Sequence, residues 1–182
     1  MELICPLCAA PLTRQENRFV CPAGHSFDIA RQGYVHLLPV QSKHSAAPGD
    51  DKGMAAARRD FLSKGYYAPL LNALCGEILS CAGDSPAILD TGCGEGYYSA
   101  RLADALQAEL TGFDISKEAV RCAAAKYKNH RWLCATAAHI PVADGSAQLV
   151  TSLFALTVPG EFSRVLTENG YYFQVLAAQD HL

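Results

Sequence analysis

The stretch that most constrains this chain runs from Ala87 to Tyr97. Ala87-Ile88-Leu89 is a short apolar run ending at Asp90, and it leads into Thr91-Gly92-Cys93-Gly94-Glu95-Gly96 before a helical pattern opens. A buried strand feeding a glycine-rich turn and then a helix is the first half of a βα unit. Glycines there let the chain turn tightly and let a ligand approach the backbone. The dinucleotide fingerprint needs glycine or alanine at its sixth position. Counted from Gly92 that position is Tyr97, which disfavours a nicotinamide cofactor. The Gly-Lys-Ser/Thr of a phosphate-binding loop is absent.

The surrounding pattern continues the alternation. Met54–Ser63 is Ala-rich, and Tyr67–Cys81 carries Leu70, Leu71, Leu74, Ile78 and Leu79 at helical spacing. After the turn, a helix is expected from Tyr97 to Leu106 and a strand from Leu110 to Phe113, ending at Asp114. Ser116 is placed to cap a helix reaching Lys126. Strands follow at Arg131–Ala135 and Gln148–Ala155. A helix at Glu161–Leu166 then leads through Asn169-Gly170 to a fifth strand, Tyr171–Leu176. Such alternation predicts an α/β fold with a parallel, doubly wound, Rossmann-like sheet.

Upstream the chemistry changes. Cys5-Pro-Leu-Cys8 and Cys21-Pro-Ala-Gly-His25 place four soft or borderline ligands in two tight turns, which suits one tetrahedral zinc. Four protein ligands fill the coordination sphere, so the metal is structural, and so small a module leans on it to fold. Cys75, Cys81, Cys93, Cys122 and Cys134 are scattered and read as small hydrophobes. His36, His44, His130, His139 and His181 lack ligand spacing. Pro39 to Gly53 is rich in Pro, Ser, Gly and charge and reads as a linker.

Net charge is −3, but residues 1–64 carry +2 and residues 65–182 carry −5. The N-terminal part is the better partner for phosphates. Arg58 and Arg59 are candidate phosphate contacts. No apolar run reaches the roughly 18 residues of a transmembrane helix. The N-terminus lacks the basic-then-apolar layout of a signal peptide, so a cytoplasmic protein is expected.

The Gly-x-Gly-x-Gly turn with Asp90 before it looks like the first motif of class I methyltransferases. Asp114 ends the next strand eighteen residues after Gly96. An acid at that place accepts hydrogen bonds from ribose hydroxyls, and S-adenosylmethionine has both hydroxyls free. Asp90, Gly92, Gly94, Glu95, Gly96 and Asp114 are therefore expected to cradle this donor. Ala135–His139 are expected near the adenine.

Taken together, the chain resembles the bacterial 23S rRNA (guanine-N1)-methyltransferase family (RlmA/RrmA-like). The likeness rests on Cys5, Cys8, Cys21 and His25, on Gly33-Tyr34-Val35, Leu37-Leu38-Pro39 and Pro48-Gly49-Asp50. It continues through Met54, Ala57-Arg58-Arg59-Asp60-Phe61-Leu62, Gly65-Tyr66-Tyr67-Ala68-Pro69-Leu70 and Asp90 to Tyr98. The resemblance implies methyl transfer to guanine N1 in a large-subunit rRNA hairpin and a zinc module that helps recognise RNA. It also implies cofactor contacts at Tyr67, Gly94, Glu95 and His181. The family has a Lys-Pro-Gly-Gly-like turn where this chain reads Thr167-Glu168-Asn169-Gly170. Its chains also continue past the equivalent of Leu182, so this one is expected to be a C-terminally truncated member with an incomplete sheet.

The expected partition is residues 1–38 as a zinc-binding, RNA-recognising module, 39–66 as linker and connecting helix, and 67–182 as a partial S-adenosylmethionine-binding domain. Guanine N1 must be unpaired or flipped to be reached, and its proton must leave. No residue is singled out as the proton acceptor. The partners expected are 23S rRNA and no membrane, and a homodimer is compatible with the reading. A non-catalytic zinc and RNA-binding remnant, or a small-molecule methyltransferase, are the alternatives.

Overall fold

Apolar residues alternate along the strands, and this sorts them into two cores on opposite faces of one sheet. Ile88, Leu110, Trp132 and Leu149 point to one face, and Leu89, Phe113, Leu133 and Val150 to the other. The chain is described here from a computed structural model that covers residues 1–39, 52–83 and 85–178. Its six main strands are β4 (Val35–His36), β5 (Ala87–Thr91), β6 (Glu109–Asp114), β7 (Arg131–Cys134), β8 (Ala147–Leu153) and β9 (Leu166–Val175). They lie in the order β4-β7-β6-β5-β8-β9, and every pairing is parallel. Strand order reverses at β5, so a crevice opens where β5 and β8 end.

The first face is covered by helices α2 (Ala68–Ala82), α3 (Tyr97–Leu106) and α4 (Lys117–Lys126), through Leu71, Leu74, Ile78, Leu102 and Val120. Ser116 caps α4 as expected, its hydroxyl accepting from the Ala119 amide at 3.3 Å. The second face is covered differently. No helix connects β7 to β8, and α5 (Pro159–Val165) is a single short helix. The Cys-rich N-terminal segment fills the gap, with Leu3, Cys5, Leu12, Cys21 and Leu37 packed in the same core as Leu89, Phe113 and Leu133. This segment forms a small antiparallel sheet of β1 (Thr13–Gln15), β2 (Arg18–Val20) and β3 (Ser26–Asp28), the short hairpins its punctuation predicts. It is stitched to the main sheet by β4, by Leu37 N–H donating to Cys134 O at 2.9 Å, and by a Leu3–Val142 bridge.

Some boundaries differ from the sequence pattern. α1 spans Lys52–Ser63, two residues earlier than Met54, and most of the expected linker lies outside the described residues. β8 stops at Leu153 rather than Ala155, because Phe154 adopts a left-handed backbone (φ 57°) and leaves the strand. The fifth strand starts at Leu166, where the pattern still expects helix, and not at Tyr171. Leu166 pairs with Ala147 and Tyr171 with Leu149, so Thr167–Gly170 survive as a bulge inside β9 rather than as a separate turn. No helix among the described residues is long and apolar enough to cross a membrane.

The indole of Trp132 wedges between β6 and the glycine turn, and its Nε1–H donates to Tyr127 O at 2.8 Å. A Cβ on Gly112 would lie 2.6 Å from that ring, and one on Gly96 equally close. Gly112→Ala is expected to lower stability by about 1–3 kcal/mol through overpacking. Urea unfolding followed by the fluorescence of the chain's single tryptophan checks this.

Candidate functional site

The four metal-type side chains come together as the spacing requires. Cys5 and Cys8 sit in one turn, where Ala9 N–H donates to Cys5 O at 2.8 Å. Cys21 and His25 sit in another, where Gly24 N–H donates to Cys21 O at 2.9 Å. Their ligand atoms all lie within 4.8 Å of one another. Cys5 Sγ and Cys21 Sγ are each 3.4 Å from His25 Nδ1, and Cys8 Sγ is 3.7 Å from Cys21 Sγ. A tetrahedral zinc with ordinary bond lengths requires about 3.8 Å between sulfurs and about 3.5 Å between sulfur and nitrogen. The residues therefore fit the ion. Burial alone would raise the Cys21 thiol, but a backbone hydrogen bond at His25 and the neighbouring Cys8 bring it down to about 7, close to the thiolate a metal needs.

The second centre is the turn after β5. Gly92, Gly94 and Gly96 all have positive φ, so the chain reverses in conformations side chains rarely adopt. At Gly92 a Cβ would strike Ala155 at 2.5 Å, whereas at Gly94 it would meet nothing within 4 Å. The first glycine serves packing and the second leaves an open backbone. The turn is held from β6: Gly92 and Cys93 N–H groups both donate to Phe113 O at 2.9 Å. Asp114 accepts from Gly94 N–H through Oδ2 (2.9 Å) and from Ser116 N–H through Oδ1 (2.8 Å).

Beside this turn lies a cavity of about 350 Å³, within the range of small-molecule sites. Gly92, Gly94 and Glu95 form one wall, Arg58 and Leu62 another, and Tyr67, Tyr98 and Phe154 an aromatic third. Tyr67 meets Tyr98 and Phe154 edge-on at 5.9 and 6.0 Å. Glu95 is only 4% exposed, yet neither carboxylate oxygen has a hydrogen-bond partner among the described residues. Burial raises its pKa, opposed by the positive charges of Lys126, Arg59 and Arg58. A cavity of about 370 Å³ also opens at the amino ends of β6 and β7, lined by Asp104, Glu109 and His130, but it is remote from the glycine turn.

The expected donor-site residues thus divide. Tyr67, Gly92, Gly94 and Glu95 line the cavity, while Gly96 packs under Trp132. Asp114 grips the turn from behind. Asp90 is buried and does not line the cavity; its carboxylate accepts from the hydroxyls of Ser99 and Thr151, tying β5 to α3 and β8. Burial raises Asp90 to about 6 despite those two hydrogen bonds. His181 lies outside the described residues. His139 faces the zinc module across a separate cavity, together with Cys5, Cys8 and Arg164. Phe61 and Tyr98 lie in stretches that carry the resemblance but were given no role, and Phe154 was marked by no motif; its position just past a parallel strand's carboxyl end is the signal that could have found it.

Comparison with known proteins agrees with this division into two centres. Residues 3–46 match the family described as "RlmA, N-terminal", a zinc ribbon, and residues 88–170 match "Methyltransferase domain". A Streptomyces fradiae protein named 23S rRNA (guanine(748)-N(1))-methyltransferase is 39% identical over 99% of this chain and 65% of its own length. A provisionally named 23S rRNA (guanine-N(1)-)-methyltransferase of Micromonospora griseorubida is 34% identical over 100% of this chain and 67% of its own. The chain belongs to the 23S rRNA (guanine-N1)-methyltransferase family. It spans about two thirds of the length of these relatives. A Methanococcus maripaludis protein, provisionally described as an S-adenosyl-L-methionine-dependent methyltransferase, shares the fold. The TM-score is 0.58 at 24% identity, covering 72% of this chain and 67% of that one.

As a member of the rRNA guanine-N1 methyltransferase family, the chain pairs a ribbon for one zinc with a domain whose cofactor is S-adenosylmethionine. Metal analysis is expected to give one zinc per chain, and Cys21→Ala to lose it. Because the ribbon covers one sheet face, calorimetry should then show the whole chain melting earlier in one transition, not an unchanged α/β melt beside a lost module.

The sign at Asp90 also follows. Its folded pKa is raised, so its contribution is fully present below the unfolded value and is lost as pH rises through about 6. Wild type should therefore gain stability relative to Asp90→Asn, on the order of 2–3 kcal/mol, as pH falls from 7 towards 4. Paired urea melts across that range measure the difference, in which pH effects on the zinc ligands cancel.

Proposed function

We propose that this chain transfers a methyl group from S-adenosylmethionine to N1 of a guanine in a 23S rRNA hairpin. The observation that carries the donor half of the reading is Glu95. A buried carboxylate with no hydrogen-bond partner among the described residues, beside the open backbone of Gly94, is costly unless a cation completes it, and the donor's ammonium group is such a cation. The acceptor half rests on the family to which the chain belongs.

When bound, the donor supplies a methyl carbon already activated by its sulfonium. The chain's task is then positioning. Gly94 would let the donor approach the open backbone, Gly92 and Tyr67 would line the site, and Asp114, which holds the turn, is assigned to the ribose hydroxyls from the sequence pattern. Gly96 and Asp90 act from behind the cavity, one by allowing the turn to seat on Trp132 and the other by bracing β5. His181 is assigned to the donor from the resemblance of the sequence. The zinc ribbon, residues 1–38, is assigned to RNA recognition, and the basic pair Arg58 and Arg59 to phosphates. A ribosomal RNA substrate places the protein in the cytoplasm, and the same reading admits a homodimer.

The test has two parts. Calorimetry should detect S-adenosylhomocysteine binding by wild type, weakened at least about tenfold in Glu95→Gln through loss of one charge-assisted contact. Incubation with undermethylated 23S rRNA should create a block to reverse transcription at one guanine, because an N1 methyl occupies the Watson–Crick edge. Binding without any such block would leave a donor-binding protein of other activity. Neither would leave a zinc-stapled RNA-binding remnant.

A further inference from the structure

Phe154 is the first residue beyond β8, and its backbone is left-handed at φ 57°. A bulky aromatic rarely takes that conformation, which persists only where its surroundings hold it and which tends to occur at working sites. Here the hold is visible. Phe154 N–H donates to Val175 O at 2.9 Å, and Ala155 lies so close to Gly92 that a side chain there would clash. The strained corner is thus seated against the glycine turn. Its effect is to turn the Phe154 ring into the cavity, 43% exposed, at 6.0 Å from Tyr67 and 6.3 Å from Tyr98. Arg58 lines the same cavity.

A guanine that presents N1 to a methyl donor has left its helix and lost both stacking neighbours. A half-exposed aromatic beside the donor turn replaces one of them, and a nearby guanidinium suits the phosphate that follows the base. We propose that Phe154 is the stacking surface for the extruded purine of an RNA substrate, with the left-handed corner serving to aim it. The inference rests on the donor and substrate reading above, and it assigns Phe154 to the acceptor rather than to the donor.

The experiment compares wild type, Phe154→Ala, Phe154→Trp and, as a control, Leu156→Ala, whose side chain is exposed and outside the cavity. Each is measured for the KM of an undermethylated 23S rRNA fragment, for S-adenosylhomocysteine affinity and for melting temperature. Base–aromatic stacking predicts that Phe154→Ala raises the RNA KM between about 5-fold and 150-fold. Donor affinity should hold, Phe154→Trp should recover most of the loss, and Leu156→Ala should match wild type. If Phe154→Ala leaves the RNA KM unchanged, or weakens S-adenosylhomocysteine as much as RNA, the stacking assignment is overturned while the methyltransferase reading stands. If wild type methylates no guanine, that reading falls and this one with it.

Discussion

The fold depends on how the second face of the parallel sheet is kept from water. A sheet of this kind needs cover on both sides. The first side has three helices, but the second has only the short α5 and no helix between β7 and β8. The cover is a ribbon too small to hold itself together. Its Leu3, Leu12, Cys5 and Cys21 share a core with Leu89, Phe113, Leu133 and Val150. Each of these leucines, fully buried, contributes about 1.5–3 kcal/mol relative to exposure. That contribution is available only while the two Cys/His turns hold their shape. Two of the metal-type ligands, Cys5 and Cys21, are themselves core residues. The metal centre is therefore a structural part of the sheet domain.

The same economy shapes the glycine turn. The groups that touch the cavity include two glycine backbones, one carboxylate, Arg58 and an aromatic wall. Around them lies a set of braces. Phe113 O and the Asp114 carboxylate hold the turn to β6, the Asp90 carboxylate gathers Ser99 and Thr151, and Trp132 fixes the spacing beneath Gly96 and Gly112. Holding an open backbone in left-handed conformations requires such bracing. In its absence a glycine-rich turn has too many alternatives to wait in one shape.

Several features were legible in the linear chain because the interactions behind them are local. The two Cys/His turns, the strand–turn–helix at Asp90–Gly96 and the Ser116 cap each span a few residues, and their residue types allow few conformations. Other features were not legible because they join segments far apart. Tyr34-Val35 reads as a short apolar run fit for a hairpin, and Val35 and His36 join the parallel sheet only because β7 lies beside them. The start of the fifth strand was missed for the same reason: Leu166 is extended by its partner Ala147. That Asp90 turns its carboxylate to Ser99 and Thr151 and not to the cavity was equally hidden, because sequence reports that an acid ends a strand but not which way its side chain turns.

The order of residues alone determined the α/β class, the metal-ligand quartet, the glycine turn and the family, since spacing and local stereochemistry are written into the chain. Only the tertiary structure decided that the ribbon is the missing layer of the sheet and that Glu95, rather than Asp90, brings to the cavity a buried carboxylate without a hydrogen-bond partner among the described residues. It alone gathered Tyr67, Tyr98 and Phe154 around one opening. Burial and direction are properties of neighbours brought together by folding, and a residue's neighbours in space are not its neighbours in sequence.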